Sequence, residues 1–144
     1  MRMSMELYQS VLGAFKCVEL FQHLNHLRVR GDYSDHLLLG EIYRSYVDRF
    51  DAFAEKGIVI WGEELVSMEV LMERQWECYR GCGISMDIVS GALRMEMYML
   101  RKLTELYGEL QVSGELTLGL DDLIMSTCSE IEGNVYLLLQ RCKR

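Results

Sequence analysis

The sequence contains no proline and only three histidines in 144 residues. Without proline, no stretch carries an obligatory helix breaker, and the good helix formers Leu, Met, Glu and Arg are plentiful. No apolar run approaches the roughly 20 residues that a membrane span needs. The start, Met1-Arg2-Met3-Ser4-Met5-Glu6, lacks the apolar centre of a signal peptide, so a cytoplasmic protein is expected. Basic residues are outnumbered, 15 Lys and Arg against 22 Asp and Glu, giving a net charge of −7. That balance disfavours generic phosphate-backbone binding, which needs clustered cations. It suits a surface or an enclosed volume that attracts cations.

Paired cysteines are also lacking. Cys17, Cys78, Cys82, Cys128 and Cys142 are odd in number and scattered through helical patterns, which reads as reduced, buried thiols rather than a disulfide framework. Cys78-Tyr79-Arg80-Gly81-Cys82 invites a metal reading. A single CxxxC with no second Cys/His pair at zinc spacing is equally well two helical neighbours one turn apart.

What is present is hydrophobic periodicity. Half the residues are hydrophobic, enough for a continuous core in a single domain spanning the chain. Leu7, Val11, Ala14, Val18 and Phe21 recur at intervals of four, three, four and three, predicting a helix over about 4–30. Gly31-Asp32 closes it, and Ser34 or Asp35 is placed to cap a second helix from about 36 to beyond 55. Leu39, Tyr43, Tyr46, Phe50 and Phe53 form its apolar stripe. Gly57-Ile58-Val59-Ile60-Trp61-Gly62 reads locally as a strand, but a lone strand has nothing to pair with, so it is taken as the helix end or a connector. A shorter helix over about 63–79 is broken by Gly81-Cys82-Gly83. A long one follows over about 86–110, through Leu93, Met97, Leu100, Leu103 and Tyr107. Val112-Ser113-Gly114 is a turn, and a last helix over 118–141 carries Leu120, Ile124, Cys128, Ile131, Val135, Leu138 and Cys142 along one side. Four long helices with a short one between the second and third predict an all-α bundle.

The histidines, His23, His26 and His36, lie in one stretch, and the second helix then supplies Asp51 and Glu55 on one face. Imidazole plus carboxylate suits iron, manganese or zinc. His36 and Asp51 are fifteen residues apart on one predicted helix, roughly 22 Å at 1.5 Å per residue, too far to share an ion within a chain. A shared site therefore requires a twofold dimer, with His26 and His36 from one copy and Asp51 and Glu55 from the other. Taken singly, each residue also has a plain structural reading, as a capping or surface histidine or as a solvated helix face.

Together, His23-Leu24-Asn25-His26-Leu27-Arg28-Val29-Arg30-Gly31, then His36, then Asp51-Ala52-Phe53-Ala54-Glu55, resemble the Dps family of miniferritins. Asp121-Asp122-Leu123-Ile124 and Glu132-Gly133-Asn134-Val135-Tyr136-Leu137-Leu138 look like its last helix. The short helix between the second and third is another family trait. Three departures stand out: the His26–His36 interval is shorter than the family's, Leu27 replaces a common Trp, and Gly40 stands where an acidic ligand is frequent. The resemblance implies a ferritin-like four-helix bundle assembled as a dodecameric shell that oxidises Fe(II) at inter-subunit ferroxidase sites and stores ferric iron. The implied metal ligands are His26, His36, Asp51 and Glu55. Asp122, and less directly Asp121, would line an ion-entry pore, although acidic residues in a first helical turn also favour the macrodipole. Glu41 is a further cavity candidate. No lysine-rich tail precedes the first helix, so DNA binding is not expected. The competing reading is a non-catalytic ferritin-like assembly or scaffold protein.

Overall fold

The absence of proline has its expected consequence in the computed structural model, which describes residues 2–82 and 87–142. Those residues form helices joined by short turns, with no strand among them. The elements are α1 (Arg2–Arg28), α2 (Tyr33–Trp61), a single 3-10 turn (Glu63–Val66), α3 (Met68–Cys82), α4 (Ile88–Ser113) and α5 (Leu118–Arg141). No helix among the described residues is long and apolar enough to cross a membrane.

The second helix begins earlier than its periodicity suggests. Asp32, not Ser34 or Asp35, is its N-cap, with a side-chain oxygen accepting the Asp35 N–H at 3.1 Å. Asp35 is thereby released to receive the Arg141 Nε at 2.6 Å, and the same guanidinium also pairs with Asp32. The strand-like run ending at Trp61 is helical: Ile58, Ile60 and Trp61 pack half-buried against the core while Val59 faces out. Gly62 N–H closes the helix on the Ile58 carbonyl at 2.8 Å. The short helix starts at Met68 after the 3-10 turn and runs through Gly81 to Cys82. The expected break at Gly83 and helix start at Met86 lie outside the described residues. Asp87 and Thr117 cap α4 and α5, accepting the N–H groups of Ser90 and Leu120.

α1 and α2 pack as an antiparallel hairpin, α4 and α5 as a second one. α1 also packs on α4, and α2 meets α5, so the four long helices enclose one core while α3 lies along the outer side of α1. Each contributes a row of residues spaced alternately three and four apart, the packing of a helix bundle. On α1 the row is Ser4, Tyr8, Val11, Phe15, Val18, Gln22 and Asn25, all buried. On α4 it is Val89, Ala92, Glu96, Met99, Leu103, Leu106 and Leu110. This corrects the expected α4 stripe. Of its members Leu103 lies in that row, Leu93, Leu100 and Tyr107 pack half-buried against the core beside it, and Met97 is 46% exposed.

The displaced row carries a carboxyl group into the core. Glu96 has no exposed surface. One of its oxygens accepts the Gln22 amide at 3.1 Å and the Tyr46 hydroxyl at 2.9 Å, and the other accepts the Asn134 amide at 2.9 Å. Gln22 also donates to the Ala92 carbonyl and accepts from Asn25. One residue from each of the four long helices thus meets in a single polar layer. Burial raises the Glu96 pKa, with the hydrogen bonds from Asn134, Gln22 and Tyr46 opposing it.

Replacing Glu96 by Leu strands buried donors, Tyr46 above all, and should cost about 2–4 kcal/mol of stability. Glu96→Gln keeps an acceptor for Tyr46 and should be far milder. Because folding raises this pKa, the folded protein keeps the proton at pH values where the unfolded chain has lost it. The contribution is therefore full below the ordinary value of 4.5 and declines as pH rises through the folded value. Denaturant titrations across pH should record that decline in the wild type and lose it in Glu96→Gln.

Candidate metal centre

Helix α1 delivers His26 to the last turn before the α1–α2 connection, and α2 presents His36 in its first turn. The hairpin brings the two rings face to face, centroids 3.9 Å apart and planes 20° from parallel. Each ring is also tied to the other residue's backbone. His26 Nδ1 lies 2.6 Å from the His36 carbonyl, and His36 Nδ1 lies 2.8 Å from the His26 carbonyl. A carbonyl only accepts, so each Nδ1 must carry a proton and donate it. In the neutral rings both Nε2 atoms then hold a free lone pair, the arrangement in which a metal-binding histidine is commonly oriented by its other nitrogen.

The rest of the ring cluster was not legible as such in the sequence. His23 stacks on Tyr43 at 4.1 Å with planes 3° apart, and Tyr43 lies 5.4 Å from His26. Tyr43, expected in the core stripe, is instead half-buried beneath these imidazoles, with the Arg44 guanidinium 5.1 Å from its centroid.

Gly40 has a definite steric role. A Cβ there would lie 2.9 Å from His26 Cε1 and 3.0 Å from its Nδ1. The His26 ring fills the space that a side chain at position 40 would occupy, so the two alternatives are mutually exclusive as the helices stand. The position at which the resemblance expects an acidic residue thus carries no side chain, and its space holds an imidazole from the neighbouring helix.

Asp51 and Glu55 stand one turn apart on α2, both exposed, in a solvent-facing row with Glu41, Arg44 and Asp48. α2 is one continuous helix from His36 to Glu55, so the separation of roughly 22 Å between His36 and Asp51 holds. Within one chain the imidazoles and the carboxylates do not meet. Among the described residues no three His, Cys, Asp or Glu side chains are grouped to hold an ion. Asp122 is exposed near the start of α5. Asp121 is half-buried there, with the Tyr107 hydroxyl in hydrogen-bonding reach. Glu41 is exposed.

The buried carboxylate of Glu96 was missed in the sequence. Its signal was the row from Val89 to Leu110, in which a single acidic residue interrupts apolar positions at regular spacing. The chain matches no protein-family model and no curated protein.

The packing at Gly40 has a measurable consequence. Gly40→Ala should lower stability by about 1 kcal/mol or more, because the new methyl meets the His26 ring. In a His26→Ala background the same change should stabilise by roughly 1 kcal/mol, the usual advantage of Ala over Gly inside a helix. Thermal melts of the four proteins of this double-mutant cycle test it. Equal effects in both backgrounds would show that the ring does not occupy that space.

Proposed function

We propose that the chain is a divergent ferritin-like, Dps-type subunit that oxidises Fe(II) at sites shared between copies and retains the ferric product in a closed shell. The observation that carries this reading is the His26–His36 pair, whose Nδ1–H groups are committed to carbonyls and whose Nε2 lone pairs remain for an ion. Exposed Asp51 and Glu55 supply the complementary carboxylates one turn apart. Carboxylate oxygens stabilise Fe(III), a hard ion, while imidazoles suit either oxidation state. Each Fe(II) gives up one electron, and two such electrons reduce hydrogen peroxide to water. Iron is the substrate and stored product. The −7 net charge and the acidic pair Asp121–Asp122 suit its entry by attraction of cations.

The ligands meet only between copies, so a twofold dimer is the minimum assembly and a dodecamer the family expectation. The near-parallel rings also constrain the site. Lone pairs lie in the ring planes, and planes 20° apart do not converge on one ion. Either one ring turns and gives up its carbonyl bond, or each imidazole serves a different ion.

The second reading, a non-catalytic ferritin-like assembly protein, is favoured by one observation: the His26 ring occupies the place of an acidic ligand at Gly40. It expects the same assembly without iron oxidation.

Light scattering at micromolar concentration should find an oligomer, and a monodisperse monomer would remove the shared site together with the shell. His36→Ala and Asp51→Ala should each largely abolish Fe(II) oxidation while leaving the helical content intact. Co-refolding the two inactive variants should restore about a quarter of wild-type activity, because about half the dimers are mixed and each mixed dimer has one intact site of two. Assembly without oxidation in the wild type selects the second reading. At physiological salt, about 150 mM, the protein should not shift duplex DNA in a gel.

A further inference from the structure

Where α3 lies along α1, large apolar side chains face solvent in two regular rows. Leu20, Leu24 and Leu27 follow one another on α1 at intervals of four and three. Met68, Met72, Trp76 and Tyr79 do so on α3 at intervals of four, four and three, so each set is a stripe on one helix face. Every one of these residues is between 42% and 74% exposed.

Between the stripes runs an apolar groove of about 380 Å³, lined by Leu20, Leu24, Met72, Trp76 and Tyr79 and bordered by Cys17. The two helices approach closely at Gly13, where a Cβ would meet the Arg74 side chain and lie 3.0 Å from its backbone carbon. Glu73 and Arg80, both exposed, stand beside Trp76 on the solvent side of the α3 stripe, with the Arg80 guanidinium 5.7 Å from the Trp76 ring centroid. Seven residues apart, they are two helical turns from each other on one face.

Apolar side chains scattered singly over a surface need no explanation, but a continuous patch does. With about 200 Å² as the full surface of a residue of this size, the exposures of the two stripes amount to roughly 800 Å². That exceeds the largest patch of a typical monomer, about 300–600 Å². It matches the area of about 800 Å² that one partner contributes to a standard protein interface.

We propose that this face docks a second copy of the chain, with the two α3 helices antiparallel across a twofold axis. In such a contact the α3 stripe of each copy enters the α1–α3 groove of the other, so Met72 and Trp76 fill both grooves at once. Laying an amphipathic helix into a groove between two others is a recurrent way to bury such a stripe. The charges at its edge also suit a second copy. An axis passing midway between Glu73 and Arg80 sets each Glu73 opposite the second copy's Arg80, giving two pairs of opposite sign at the rim. The contact needs no metal ion, so it goes beyond the iron reading and stands whether or not the assembly oxidises iron.

Analytical ultracentrifugation of the full chain over a range of micromolar concentrations tests this, and the wild type is expected to be at least a dimer. Trp76→Glu and Leu24→Glu place a charge inside the contact. Each should raise the dissociation constant at least about thirtyfold, the usual effect of losing a central interface anchor. Both residues are exposed in the single chain, and circular dichroism with thermal melting checks that the variants fold. Val112→Glu and Leu118→Glu, at apolar residues exposed on α4 and α5, should leave association unchanged. Glu73→Arg and Arg80→Glu should each weaken it severalfold, and the two together should restore it, because the pairs re-form with their signs exchanged. A monomeric wild type, or an unchanged dissociation constant in both Trp76→Glu and Leu24→Glu, would overturn the proposal; the second result leaves any assembly, and the iron reading with it, to another face. A double reversal that binds no better than the single ones, or equal weakening by Leu118→Glu and Trp76→Glu, would overturn it as well.

Discussion

Glu96 is the constraint around which the bundle is organised. A carboxylate with no exposed surface survives only if its lone pairs are occupied, and here the donors come from three other helices. Sliding any long helix by one turn would separate Gln22, Tyr46 or Asn134 from Glu96 and leave buried polar groups without partners. An all-apolar layer would tolerate such slips more easily. The polar layer therefore gives up some stability for a defined register, the best-attested use of a buried polar group in a helical core.

That register sets what happens at the end of the bundle. Gln22 and His26 are one turn apart on α1, so fixing Gln22 against Glu96 also fixes the height of His26 against α2. The same alignment brings Arg141, two turns beyond Asn134 on α5, to Asp32 and Asp35 at the start of α2. The cap of α2, the ion pair that closes the bundle end and the imidazole–carbonyl exchange are then parts of one junction. Hydrogen bonding by the Asp35 and Ser34 backbone N–H groups and the charge of Arg141 hold Asp32 below the usual carboxylate range.

Periodicity was enough to read the helices and their order, because a chain without proline and with half its residues hydrophobic has few other ways to bury a core. It did not fix rotational phase as well. On α4, Leu93, Met97 and Leu100 form as good an apolar stripe as Val89, Ala92 and Met99. Only contact with α1 and α5 decides between them, and choosing the first hid Glu96. The cap at Asp32 was missed because Ser34 and Asp35 are equally good capping residues in isolation. The histidine–carboxylate set was legible as a set of residue types and intervals. The stacking of His26 on His36, and its dependence on Gly40, was not, since both depend on the closeness of two helices.

The α1–α2 and α1–α3 contacts share one helix but face different surroundings. His26 lies nine residues beyond Cys17, roughly 14 Å along the helix. The imidazoles of His26 and His36 stack where α1 meets α2, with the exposed Asp51 roughly 22 Å further along α2. Cys17 and Cys78 are buried where α1 meets α3. This difference follows from the packing. α2 has both a core face and a solvent-facing row that includes Glu41, Asp48, Asp51 and Glu55, so its outer side stays open. α3 covers α1 with its buried cysteines, and the Tyr98 ring of α4 lies over Gly81 near its end, so this contact keeps little open surface beyond the groove that Cys17 borders.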